Sequence, residues 1–233
     1  MPVNFDGLEF ERPGHATVRV TTDDGRVVYI DPWSPVLGDS PIAADYIFVS
    51  HDDYDHYDAD AIERVATEET TVVAYERVDT SDLPFDVLEV PADGEAEVND
   101  RINVRAPPAY NDPDSEHVRE SGEPFHPEGE VIGLLLTIDD VTVYFASDTD
   151  FLDEHADVEA DVFIPPIGGS FTMDRHEAAE FTEAVDPDLV IPVHYNTLKD
   201  FPEVSDTFEQ IETDAEAFKH DVESQTDATV RLI

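Results

Sequence analysis

The stretch His51-Asp52-Asp53-Tyr54-Asp55-His56 sets two histidines and three carboxylates within six positions. Imidazole nitrogen and carboxylate oxygen hold zinc, manganese or iron where no thiolate is available, and the chain has no cysteine. Acid alone carries little weight, since Asp and Glu fill 57 of 233 positions. Histidine carries more, because only 9 occur. The stretch follows Tyr46-Ile47-Phe48-Val49, which reads as a buried strand, and precedes a helical pattern from Ala59. Two more polar clusters follow apolar runs in the same way, Ser147-Asp148-Thr149 and Val193-His194-Tyr195. Side chains at strand ends, held by rigid elements, are well placed to build a site.

The elements that must position these clusters are short. Strands are expected over 15–20, 26–30 and 45–50, with a turn at Asp23-Asp24-Gly25. A helix over 59–67 puts Ala61, Ile62 and Val65 on one face. Further strands are expected over 71–75, 86–90 and 102–106. Residues 107–129 form a loop rich in Pro, Asp and Glu, of a length that in compact domains is usually functional or disordered. A hairpin over 131–138 and 141–146 turns at Asp139-Asp140, and a strand covers 161–164. Asp174, with Glu177 three positions on, opens a helix carrying Ala178, Phe181 and Val185. Residues 189–193 read as a buried strand, Phe208, Ile211, Ala215 and Phe218 as one amphipathic helix, and 229–233 as a closing strand. This order predicts two packed sheets with helices outside, in one domain spanning 1–233.

Composition narrows the function. The formal charge is -45, with 12 basic residues against 57 acidic ones. In molar salt the Debye length falls to roughly 3 Å and the self-repulsion of such a body largely disappears. The charge is spread along the chain, so it reads as the solvated surface of a halophile's protein. It argues against nucleic-acid binding, which needs Lys and Arg on phosphates. No apolar run approaches the roughly 20 residues of a membrane span. The first residues, MPVNFDGLEF, lack the basic and apolar regions of a signal peptide, so a cytoplasmic protein is expected.

Taken together, the clusters resemble the metallo-β-lactamase-fold hydrolases. Their metal signature runs His-x-His-x-Asp-His, then a His, an Asp in a Gly-Asp-Thr-like turn, and a final His. Residues 51–56, Ser147-Asp148-Thr149 and His194 match it in order. Gly14-His15-Ala16-Thr17, Ile30-Asp31-Pro32-Trp33, Ile167-Gly168-Gly169-Ser170-Phe171-Thr172-Met173-Asp174 and Ile191-Pro192-Val193-His194-Tyr195 look like a small branch that includes ascorbate-6-phosphate lactonase-like proteins. The resemblance runs from about Gly14 to Thr197. It implies an α+β fold, a four-layer αββα sandwich. It also implies one or two divalent ions, zinc first, with manganese or iron as alternatives. One ion would use Asp55, His56 and His194, with Asp148 bridging to a second held by His51 and Asp53. The activity implied is hydrolysis of a small ester-like bond (lactone, phosphodiester or phosphoester), with a metal lowering the pKa of water to about 7 and Asp55 as ligand and orienting base.

Two positions depart from the signature. Asp53 stands where the second histidine would be, and Ala109-Tyr110-Asn111 stands near the usual third-site histidine. A carboxylate can replace imidazole at about the same distance, and it hardens the site toward manganese or iron. The second ion then needs another ligand, for which Asn111 and His126 are candidates. These departures also support an alternative, a non-catalytic binding or structural protein with a degenerate site. A nuclease of the superfamily fits poorly, because 233 residues leave no room for a large cap. His117 and His126 read first as surface residues of the long loop, His126 being the better spare ligand. His15 is expected to pack or bond near the first strand, and His176 to face solvent. Gly168-Gly169 is expected to turn the chain, and Tyr54 and Tyr195 to line the pocket or the core.

Overall fold

The computed structural model describes residues 1–204 and 206–233, in two compact units, residues 1–91 with Ile233, and residues 92–232. The first unit is built on one seven-stranded sheet whose spatial order follows the sequence. Its strands are β1 (Val3–Phe5), β2 (Leu8–Gly14), β3 (Thr17–Thr22), β4 (Val27–Ile30), β5 (Tyr46–Val49), β6 (Thr71–Tyr75) and β7 (Val87–Val90). Strands β1 to β4 pair antiparallel, and β4 to β7 parallel. The parallel core strands β4 to β6 are nearly continuous apolar runs, as strands covered on both faces must be.

Between β5 and β6 lies helix α1 (Ala59–Val65). Asp58 caps it by accepting from Ala61 N, and Ala61, Ile62 and Val65 are its buried face. The helix stops before the expected Thr67. Thr70 Oγ1 accepts from Thr67 N and donates to Ala44 O, so side-chain bonds replace the next helical turn. Strands β1 and β2 were not among the expected elements. Their hairpin turns at Asp6-Gly7, both at positive φ (41° and 87°), the backbone that a two-residue hairpin turn needs.

The second unit holds another seven-stranded sheet and a two-stranded one. Its strands are β8 (Glu95–Glu97), β9 (Ile102–Arg105), β10 (Pro108–Ala109), β11 (Val131–Ile132), β12 (Leu134–Ile138), β13 (Val141–Phe145), β14 (Val162–Ile164), β15 (Leu189–Val190) and β16 (Thr229–Val230). The large sheet runs β16-β15-β14-β13-β12-β9-β8, and β10 pairs with β11. The strand expected over 131–138 is broken at Gly133. A Cβ there would lie 2.9 Å from the Tyr144 ring, and Gly133 N donates to Pro107 O. Asp139 and Asp140, at φ 50° and 74°, turn the β12–β13 hairpin.

Helix α2 (Arg175–Val185) starts at Asp174, whose side chain accepts from the backbone N–H of His176 and Glu177. Glu177 does not close a capping box; its carboxylate takes the N–H of Phe151 at 2.8 Å instead. After β15 comes a short helix, α3 (Thr197–Asp200). The single amphipathic helix expected over Phe208 to Phe218 is two elements, a 3-10 turn at Asp206–Ile211 and helix α4 (Ala215–Gln225). The break has a cause: the Asn196 amide holds both Thr213 N and Thr213 O, and Asp214 caps a new start at Ala217 N. Phe163, Phe181 and Tyr144 form the ring cluster of this unit's core. Burying Phe181 alone contributes roughly 1.5–3 kcal/mol.

Candidate metal centre

In the first unit the polar cluster grows from the ends of β4 and β5. Asp31 follows β4 at φ 45°, is fully buried, and donates its N–H to Phe48 O. Its carboxylate accepts from Ser50 N at 2.9 Å and Ser50 Oγ at 2.6 Å. It also meets His56 Nδ1 at 2.8 Å. An ionised carboxylate only accepts, so His56 carries its proton on Nδ1 and keeps a lone pair on Nε2. The Ser50 hydroxyl proton is committed to Asp31. Its oxygen therefore accepts from His51 Nδ1, 3.0 Å away, which leaves the lone pair of His51 on Nε2 as well. One buried carboxylate thus fixes the ligating nitrogen of two histidines, the arrangement found behind metal-binding imidazoles.

The loop from His51 turns on Asp53 O, which accepts from His56 N and Tyr57 N, both at 2.8 Å. This brings Asp55 to His15, whose Nε2 lies 2.8 Å from Asp55 Oδ2. His15, at φ 50° after β2, packs its ring 5.2 Å from Trp33. The expected bonding of His15 near its strand is therefore a bond to a candidate ligand. Asp53 is different: its side chain is 52% exposed, against 10% for Asp55, and stands 3.7 Å from His51 Nε2. Tyr54 is exposed beside it, and partial burial, then the charges of Asp55 and Asp53, raise its pKa.

In the second unit β13 runs out at Phe145. Ser147, at φ 62°, then turns Asp148 inward. Asp148 Oδ2 is 3.2 Å from His194 Nε2 and 3.4 Å from His126 Nε2, and all three residues are buried. His194 sits at φ 56° just beyond β15, where Val193 N donates to Pro165 O and Ile167 N to Val193 O. Gly168 lies directly against it. A Cβ there would be 2.3 Å from His194 O, so only glycine lets the two segments approach. Gly169, at φ 71°, turns the chain as expected.

His126 is not the surface residue it was expected to be. Its backbone N–H donates to Asn111 Oδ1 at 2.8 Å, and Asn111 N donates to His126 O at 2.8 Å. His117 is also held, by Asp150 at 2.6 Å; burial pushes its pKa down, but the hydrogen bond to Asp150 and its charge outweigh that and raise it. His176 is largely exposed, as expected, and Tyr195 is buried. His126 had one sequence signal, its place between Phe125 and Pro127 inside an otherwise polar loop.

The donor sets fit divalent ions. The first unit offers Nε2 of His51 and His56 with the carboxylates of Asp53 and Asp55. The second offers two imidazoles converging on one carboxylate oxygen, an arrangement that calls for a cation. The His51–Asp53 and Asp148–His194 pairs join candidates marked in the sequence, and His126 and His15 extend them.

Comparison with known proteins agrees. The profile of the β-lactamase superfamily domain matches residues 10–194. A UPF0173 metal-dependent hydrolase of Methanosphaerula palustris is 30% identical over 226 residues, 95% of this chain and 94% of its own. A solved structure from Parabacteroides distasonis has a TM-score of 0.82 at 23% identity, covering 100% of this chain and 97% of its own. Igni18, a metallo hydrolase of Ignicoccus hospitalis, has a TM-score of 0.74 at 24% identity, covering 97% and 94%. The α+β metallo-β-lactamase fold expected from the sequence is therefore the fold observed. With this fold, and with the superfamily profile running from β2 to His194, the chain belongs to the UPF0173 metal-dependent hydrolase family of the metallo-β-lactamase superfamily.

Proposed function

We propose that the chain hydrolyses a small ester-like bond, a lactone, phosphodiester or phosphoester, with one or two divalent ions, zinc first and manganese or iron as alternatives. The proposed ligands are His51, Asp53, Asp55, His56, Asp148 and His194, with His126 supplying the third-site histidine that residues 109–111 do not carry. Motif order in the family joins these residues into one complement. The observation that carries the reading is the convergence of His126 and His194 on Asp148 Oδ2. It answers one of the two grounds for the degenerate-site alternative, the missing third-site histidine; the other, Asp53 in place of the second histidine, is left to the metal measurements below.

Bound metal supplies a nucleophilic water at neutral pH and polarises the scissile bond. This chain's residues do the rest. Asp31 holds His51, through Ser50, and His56 in the tautomer that ligates. His15 orients Asp55, the proposed ligand and orienting base. Asp53, half exposed, is the weakest of the proposed ligands. An anionic substrate meets a chain of formal charge -45, so the ions must provide the local positive charge.

We read residues 1–233 as one functional domain of a cytoplasmic halophilic protein acting on small molecules. The charge supports the halophilic reading, and no described helix is long and apolar enough to cross a membrane. The test is elemental analysis of protein purified without added metal, followed by a screen of ester, lactone and phosphodiester substrates. Hydrolysis should vanish with chelator and return with divalent metal. Activity that survives chelation in Asp55→Ala and His194→Ala would sink the proposal.

A further inference from the structure

The loop over 107–129 is held at one point by an amide. Asn111 is fully buried, and every polar atom of its side chain is committed. Its Nδ2 donates to Asp150 Oδ1 at 3.0 Å and to Phe171 O at 2.9 Å. Its Oδ1 accepts from His126 N at 2.8 Å and faces His126 Nδ1 at 3.2 Å. The amide can be oriented only one way, since the carboxylate and carbonyl need its donors and the N–H needs its oxygen. Asn111 is thus not itself a spare ligand; its amide is used up in holding His126.

His126 Nδ1 faces two oxygens, Asn111 Oδ1 and Phe171 O at 3.1 Å, and both can only accept. Nδ1 therefore carries a proton, which in the neutral ring leaves the lone pair on Nε2, the atom 3.4 Å from Asp148 Oδ2. Asp150 sets the amide in turn. Besides the Asn111 bond, it accepts from Asp112 N at 2.9 Å and meets His117 Nδ1 at 2.6 Å. Its own N–H donates to Tyr110 O at 2.9 Å. The Asp150 carboxylate holds three residues of that loop, Asn111, Asp112 and His117, and its backbone N–H a fourth, Tyr110, beside the strand end that carries Asp148.

We infer that Asn111, anchored by Asp150, is a positioning residue that places His126 and fixes its tautomer for ligation. The inference rests on the hydrolase reading only for the purpose of that ligation; the placement and the tautomer stand apart from it.

The test uses the full chain, 15N-labelled and metal-free, in molar salt. Long-range 1H–15N NMR reports which ring nitrogen of each histidine is protonated, and zinc content after reconstitution is measured beside it. In the wild type His126 should be protonated on Nδ1. Asn111→Leu should shift His126 toward the other tautomer and lower zinc affinity roughly 10- to 100-fold. Asp150→Asn, which leaves every atom of Asn111 in place, should shift the same signal less, and serves if Asn111→Leu does not fold. His117→Ala, which touches Asp150 but not Asn111, should leave the tautomer as it is. A wild-type His126 protonated on Nε2 would overturn the inference, as would an Asn111→Leu variant with an unchanged tautomer and full zinc. If the wild type binds no metal, the hydrolase reading falls and the tautomer shift alone decides.

Discussion

His56 Nδ1 lies 2.8 Å from the carboxylate of Asp31, a residue 25 positions earlier, and both side chains are fully inaccessible to solvent. Because the same carboxylate also holds Ser50, and Ser50 holds His51, one substitution reaches two proposed ligands. Asp31→Asn should lower metal affinity roughly 10- to 100-fold while every proposed ligand is still present. Metal titration monitored by calorimetry checks this; unchanged affinity would show that the ligands need no such support.

Gly168 and Gly169 should respond differently to alanine. At Gly168 the new methyl meets the backbone of His194, which cannot move aside cheaply, so a loss of about 1–3 kcal/mol is expected together with lower metal content. At Gly169 the nearest atom is 3.7 Å away and only the positive φ is penalised, about 1 kcal/mol, with metal content kept. Denaturant melts and elemental analysis of the two variants separate the cases.

His155 gives the second unit an acid-sensitive point. Its ring stacks on Phe181 at 4.6 Å, Nδ1 accepts from Leu152 N, and Nε2 donates to Pro108 O at 2.8 Å. Burial lowers its pKa, only partly offset by the Pro108 bond. The unfolded chain therefore takes up the proton first. Stability is lost as pH falls from the unfolded value of about 6.5 toward the lowered folded one, by at most about 1.4 kcal/mol per pH unit. His155→Phe keeps the stack and loses the proton, so its stability deficit against the wild type should narrow between pH 7 and pH 5. A constant difference in melting temperature would refute this.

Salt should act on the whole chain. With 57 acidic and 12 basic residues, the folded state repels itself until counterions screen it. Melting temperature should rise steeply from millimolar to molar salt, and a flat profile would remove the halophilic reading.

The sequence showed the central strands because they are apolar runs with few polar interruptions, and β5 with its trailing His51 is the plainest case. The β1–β2 hairpin was missed despite its local Asp6-Gly7 turn, whereas other breaks depend on a distant residue. Nothing local in 208–218 announces that Asn196 will divide the helix, and Gly133 breaks its strand only because Tyr144 lies across it. The site was legible to the same degree. Residues 51–56, Asp148 and His194 lie at strand ends and carry a motif. His126 does not, because its place depends on Asn111 and Phe171, 15 and 45 positions away. Asp31 was visible only as part of a short resemblance, and its hold on two histidines is a fact of packing.

Four residues that are or adjoin proposed ligands, His15 and Asp31 in the first unit and Ser147 and His194 in the second, sit at positive φ. Each such corner holds an L-residue in a conformation that glycine adopts freely, at a cost of roughly 1–3 kcal/mol apiece. Asp6, Asp139 and Asp140 adopt the same backbone in hairpin turns, but at these four corners the side chain or its neighbour also serves the proposed metal chemistry. A lineage that lost the metal chemistry would be released from that requirement, and drift toward greater stability would then favour glycine at these four corners. Glycine at several of them in a related chain would mark a protein that has kept the scaffold and abandoned the reaction.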